Sequence, residues 1–179
     1  MSEQKDFKFI KDLCCSFFRK RSIIKTLNII DDQRISGWEK WMQIEFAKFC
    51  NDREDVAEWS REEAYRLDRR TSKRRDSCSI DFSLRQKFKQ TWVALELKQK
   101  NRASNCFKSM IKDVVKINKI RNSDNDIRTT WCFGVHKSTD EKKVKGYVAK
   151  YGIEFEQPIN ESYLYSQRIG RSAYSFTLF

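Results

Sequence analysis

Trp92-Val93-Ala94-Leu95-Glu96-Leu97-Lys98 is an apolar run that finishes in two charges separated by one leucine. Side chains alternate faces along a strand, so Val93, Leu95 and Leu97 share one face while Glu96 and Lys98 share the other. A strand this apolar is expected to be buried, and buried charge is costly unless it is paired or bound to a metal. The pair therefore reads as part of a site.

Upstream, residues 78–85 alternate cleanly, with Ile80, Phe82 and Leu84 against Ser79, Asp81 and Ser83. Together with residues 91–98 they read as a hairpin. If its turn is centred between Phe88 and Lys89, Asp81 lies opposite Glu96, and opposed residues share a face about 5 Å apart at Cβ. A slip of one residue would send Asp81 to the other side. In the centred register Ile80, Phe82 and Leu84 join Val93, Leu95 and Leu97, and the charges fall on the face of Trp92 and Ala94.

Further out, residues 5–25 read as a helix with Phe7, Ile10, Leu13, Phe17 and Phe18 as its apolar stripe. Residues 35–50 read as a second helix, capped by Ser36 with Glu39 three positions on. Its stripe runs Trp38, Trp41, Met42, Glu45 and Phe49. Residues 56–67 fit a strand, with a helical alternative over 61–69. Residues 105–120 carry a helical pattern, 129–135 a third core strand, 140–151 a short helix, and 153–179 alternating strands. The helix between Lys98 and Thr129 is long enough to cross over between parallel strands. The expected fold is α/β, a mixed central sheet flanked by helices. It is expected as one domain, residues 1–179, with its core over about 35–150, an N-terminal helical extension over 1–34 and C-terminal strands over 151–179.

The chain has 179 residues, of which 39% are hydrophobic and 13% aromatic, with one proline and five glycines, so it is expected to fold rather than stay disordered. Its net charge of +12 favours a polyanionic partner, and nucleic acid is the commonest. No long apolar stretch or amphipathic anchor points to a membrane. The charged first ten residues lack the apolar core of a signal peptide, which implies a cytoplasmic protein whose six cysteines stay reduced. With no CxxC pair and His136 as the one histidine, the sequence argues against zinc.

Two opposed carboxylates repel unless a cation sits between them. Mg²⁺, with Mn²⁺ as a substitute, suits carboxylate oxygens together with water and phosphate. A bound metal lowers the pKa of a water, and a neighbouring ammonium such as Lys98 can orient the hydroxide. Glu45, facing inward from its helix, is a candidate third carboxylate. Beside a phosphate-attracting surface this chemistry amounts to phosphodiester hydrolysis. The run Arg69-Arg70-Thr71-Ser72-Lys73-Arg74-Arg75 just before Asp81 supplies that surface, with Arg69, Arg70, Lys73, Arg74 and Arg75 as candidate phosphate contacts.

Asp81, Glu96-Leu97-Lys98 and the helix carrying Trp41-Met42-Gln43-Ile44-Glu45 resemble the PD-(D/E)XK nuclease superfamily, the restriction-endonuclease-like fold. The resemblance covers roughly residues 35–150. It extends to the order of elements: a glutamate-bearing helix, a strand, the Asp strand, the ExK strand, a crossover helix, a strand and a helix. It implies a metal-dependent DNA endonuclease in which Asp81 and Glu96 hold Mg²⁺, Lys98 positions the attacking water and Glu45 assists at the metal. A homodimer cutting both strands is implied in the same way. Ile80 stands where the family has proline.

Acid-x-lysine triplets are cheap in a chain that is 35% charged: Glu3-Gln4-Lys5, Asp6-Phe7-Lys8, Asp140-Glu141-Lys142 and Glu141-Lys142-Lys143 also match. Only Glu96-Leu97-Lys98 closes an apolar strand behind an opposed Asp. Gln99 is open between a phosphate ligand and a structural residue. Trp38, Trp41, Trp59 and Trp92 are expected in the core rather than as base-stacking platforms, and His136 as a structural residue. Tyr163, Tyr165, Tyr174, Phe176 and Phe179 fit sheet packing or a dimer interface equally. Two alternatives stand beside the enzyme: an inactive module on the same fold that binds DNA or RNA, and an interaction protein.

Overall fold

A computed structural model describes residues 2–70, 76–120 and 126–179. Three helices come first, α1 (Ser2–Phe18), α2 (Arg21–Asp32) and α3 (Glu39–Asn51). Strands β1 (Val56–Arg66), β2 (Ser77–Gln86) and β3 (Trp92–Gln99) follow, then α4 (Ala103–Ile117), β4 (Ile127–Lys137) and α5 (Glu141–Glu154). A 3-10 turn at Glu161–Tyr163 leads into β5 (Tyr165–Arg168) and β6 (Tyr174–Leu178). The six strands form one sheet in the order β1-β2-β3-β4-β6-β5. β3 and β4 are parallel and the other neighbours antiparallel. The fold is thus α/β with a mixed sheet, and α4 is the crossover that the spacing between Lys98 and Thr129 calls for.

One face of the sheet, carrying Phe82, Leu84, Val93, Leu95, Leu97, Phe133 and Val135, packs on α1, α2 and α3. Phe17, Phe46 and Phe82 meet edge to face in this layer, the arrangement that aromatic quadrupoles favour. Helices α1 and α2 are thus integral to the largest core cluster, through Ile10, Leu13 and Phe17 of α1 and Leu27 of α2. The other face packs on α4 and α5. Gly134 of β4, paired with Lys98, sets how close α4 comes: a Cβ there would collide with Cys106 Sγ and Met110 Sδ.

Several boundaries differ from the sequence reading. The first helix breaks at Arg19-Lys20 into α1 and α2. Ser36 does not cap α3: Trp38 is its N-cap, with no side-chain hydrogen bond, and Glu39 points elsewhere. The buried stripe of α3 is Met42, Gln43, Phe46, Ala47, Phe49 and Cys50, rotated away from Glu45. Residues 56–66 are strand rather than the helical alternative. Ile80 does not share a face with Phe82. It packs with Cys78, Ala94 and Ile117 under α4, whereas Phe82 and Leu84 face α3. The alternation breaks where Glu62 of β1 adopts a left-handed φ of 53° and the ladder skips the Glu62/Asp81 position. The aromatic C-terminus is packing in this chain: Tyr174, Phe176 and Phe179 are buried. No described helix is long and apolar enough to cross a membrane.

Candidate active site

The β2–β3 register pairs Phe82 with Leu95, Ser83 with Ala94 and Leu84 with Val93. One step further along, Asp81 and Glu96 meet the end of this ladder from adjacent strands. The paired stretch stops there, and the Asp81 carboxylate takes the place of a strand carbonyl, its Oδ2 accepting from Leu97 N at 2.9 Å. Lys98 Nζ stands 3.9 Å from Asp81 Oδ2 and 3.9 Å from Glu96 Oε2. The three residues thus converge on the α4 side of the sheet, as the alternation from Val93 to Lys98 requires.

Two further side chains, from α4, complete the cluster. Asp113 Oδ2 lies 3.0 Å from Lys98 Nζ, and Lys116 Nζ donates to Glu96 Oε1 at 3.1 Å and to Ser79 O at 3.1 Å. Lys116 also stands 3.6 Å from Asp113 Oδ1, one turn away on the same helix. Three carboxylates therefore alternate with two ammonium groups, which is how buried charge is tolerated. Glu39, at the start of α3, reaches the end of β3 and accepts from Gln99 N at 2.8 Å. Glu45 does not join: it pairs with Lys48 at 3.3 Å on its own helix. The glutamate that α3 brings toward the site is Glu39, and it acts on Lys98 alongside Asp113 and Asp81.

Burial and, after it, the neighbouring Asp81 push the Glu96 carboxyl up to about 8, against the pull of Lys116. For Lys98, burial works against the charged form, but Asp113, Asp81 and Glu39 outweigh it and raise the ammonium above its usual value. Lys98 thus holds its proton more tightly than an ordinary lysine. Glu96, only 1% exposed, keeps in the folded state a proton that the unfolded chain releases above about pH 4.5. Its contribution to stability is therefore complete below that pH and is lost as pH rises through about 8. Glu96→Gln should flatten the fall in Tm between pH 5 and pH 8.5, leaving the variant more stable than the parent at the alkaline end by on the order of a few kcal/mol. Buried His136, whose pKa is lowered chiefly by burial, has the opposite slope, so the difference between parent and variant is what isolates Glu96. Parallel Tm curves for the two proteins would remove Glu96 from this role.

Arg70 is gripped by the Asp68 carboxylate at 2.9 Å and Arg69 stands 3.8 Å from Asp76, both exposed. Lys73, Arg74 and Arg75 lie outside the described residues. Gln99 is buried and its amide donates to Asn101 Oδ1 at 3.3 Å, a structural role. His136 sits under Phe107: Nδ1 meets Lys137 O at 2.9 Å and Nε2 meets Thr177 Oγ1 at 2.9 Å. A carbonyl can only accept, so Nδ1 carries a hydrogen, and burial lowers the pKa of the ring. Trp38 is buried, and Trp41 and Trp59 pack against the core. Among the described residues no three histidine, cysteine or acidic side chains are arranged to hold a metal ion. The chain matches no family model, no curated protein and no solved structure.

Proposed function

We propose that the chain is a metal-dependent nuclease that hydrolyses phosphodiester bonds in DNA, with Asp81, Glu96 and Lys98 at its centre. The observation that carries this reading is the meeting of two carboxylates from adjacent strands on one protonated lysine, at the buried end of a ladder. The element order around it, α3-β1-β2-β3-α4-β4, follows the order that the PD-(D/E)XK resemblance implies, and the parallel β3–β4 pair belongs to the same pattern. The net charge of +12 supplies the attraction for phosphate.

Asp81 and Glu96 offer the hard oxygen donors that Mg²⁺ or Mn²⁺ takes, and the raised proton affinity of Glu96 marks a place where a cation would relieve repulsion. When bound, the ion would supply an acidified water. Lys98, fixed by Asp113, is the donor that orients such a water and stabilises the developing hydroxide. Lys116 holds Glu96 in place from α4. Glu45 is left without a part, and Glu39 is the α3 carboxylate that steadies the Lys98 end. The same reading makes the protein cytoplasmic and a homodimer.

A second reading, a binding module without turnover, is favoured by one observation: Lys98 and Lys116 already compensate the three carboxylates internally. Supercoiled plasmid and linear DNA, incubated with the purified chain and either Mg²⁺ or EDTA, separate the two. Nicked or linear product with Mg²⁺ and none with EDTA supports the enzyme. Binding without any cleavage, in Mg²⁺ and in Mn²⁺, establishes the module.

A further inference from the structure

The turn between β2 and β3 presents an aromatic ring that the fold does not use. Phe88 is 91% exposed and, among the described residues, stacks on no other ring. Lys89 N donates to Gln86 O at 3.0 Å, closing a four-residue turn with Phe88 at its third position. There its φ is 66°, the left-handed region where glycine or asparagine is the usual occupant and a bulky side chain is strained. The turn itself is held firmly: Lys87 N donates to Asp55 O at 3.0 Å and Arg85 Nη1 to Lys89 O at 3.0 Å. A rigid turn thus carries, at a glycine position, a ring pointed at solvent, and strain of this kind persists where a function needs it.

The surroundings say what the ring meets. Lys87 and Lys89 flank it, both exposed, and among the described residues neither is paired with a carboxylate. Residues 86–92, Gln-Lys-Phe-Lys-Gln-Thr-Trp, contain no acid. Lys87 Nζ lies over the Phe88 ring, 5.6 Å from its centroid, so one face of the ring holds a cation and the other is open. An aromatic ring flanked by two cations without a carboxylate partner matches an unpaired nucleobase between two phosphates, since every base has a face to stack and every link a charge. We propose that the Lys87-Phe88-Lys89 tip is a binding site for single-stranded nucleic acid, with Phe88 stacking on a base and the two lysines on the flanking phosphates. Phe88 lies seven residues beyond Asp81, roughly 23 Å along an extended strand, so the tip is a contact separate from the acidic cluster. A membrane is the poorer occupant, because a single ring inserted at a bilayer surface holds a protein only marginally.

The test needs no turnover and is done in EDTA, so its outcome is independent of whether the chain cleaves anything. A labelled oligothymidylate is titrated with the parent protein, Phe88→Gly, Phe88→Leu, Phe88→Trp and the pair Lys87→Ala/Lys89→Ala. Phe88→Gly should keep or raise Tm, because it relieves the strained φ, while weakening binding roughly 5- to 100-fold. Leucine should lose affinity similarly without loss of Tm, and tryptophan should keep it. The double lysine change should flatten the slope of log affinity against log salt by about 1.4. Unchanged affinity in Phe88→Gly and Phe88→Leu overturns the proposal, and so does a fall in Tm with affinity intact, which makes Phe88 structural. Vesicles of phosphatidylserine and phosphatidylcholine are the third arm. Binding there that glycine abolishes and leucine preserves, without an effect on the oligonucleotide, makes the tip a membrane contact and also overturns it.

Discussion

Lys98→Met should lower Mg²⁺-dependent cleavage by about 10²- to 10⁴-fold, the range over which a positioned proton-handling group contributes to a rate. Methionine keeps the length of the side chain and removes the charge that Asp81, Glu96 and Asp113 share. Metal affinity should survive or rise, since the variant removes a competing cation from beside the carboxylates. Asp81→Ala should lose both metal binding and cleavage, because the ion would be left with Glu96 as its one charged ligand from β2 and β3. DNA affinity should persist in both variants, as each changes the net charge of +12 by a single unit. Full cleavage by Lys98→Met would take the lysine out of the chemistry and leave it a counter-ion.

Asp6→Ala should destabilise the fold by about 3–5 kcal/mol, the cost of breaking a buried ion pair by removing one partner. Asp6 is 2% exposed. It accepts from Arg128 Nε at 3.0 Å, from Arg128 Nη2 at 3.0 Å and from Thr129 Oγ1 at 3.0 Å. Thr129 Oγ1 in turn accepts from Trp131 Nε1 at 3.1 Å. This network ties α1 to the start of β4, and alanine leaves a largely desolvated guanidinium without its carboxylate, held through Nη1 by Thr91 O alone among its close partners. Urea unfolding of parent and variant measures the effect through the midpoint at unchanged slope. A loss below about 1 kcal/mol would mean that Arg128 reaches water or another acceptor once Asp6 is gone.

The hairpin was legible because turn and alternation agree: residues 82, 84, 93, 95 and 97 can bury together in only one register. That register fixes Asp81, Glu96 and Lys98 on adjacent strands. The break at Ile80 was not legible, since a left-handed Glu62 on a neighbouring strand leaves no mark in the local pattern. On α3, Trp38 and Trp41 drew the stripe toward Glu45, whereas Phe46 and Cys50 join Trp38 in the core and leave Trp41 at its rim. Reading Glu39 as half of a capping box kept it on its own helix, while its carboxylate serves Gln99 N. Asp113 and Lys116 left a faint signal, opposite charges three apart beside the stripe of Phe107, Met110 and Val114. What turns them toward Glu96 is the approach of α4 over Gly134, a tertiary fact. Asp6 shows the same limit, lying on the Ile10-Leu13-Phe17 stripe with a partner 122 positions away.

Binding of Mn²⁺, followed by loss of the free-ion electron paramagnetic resonance signal, reaches the central claim without depending on substrate. The parent chain should bind Mn²⁺ with an affinity that rises with pH through about 8 as Glu96 gives up its proton, with Mg²⁺ competing, and Asp81→Asn and Glu96→Gln should each abolish it. A parent chain that leaves the Mn²⁺ signal undiminished at every pH, or variants that bind as well as the parent, would contradict the assignment of this cluster as a metal-holding hydrolytic site.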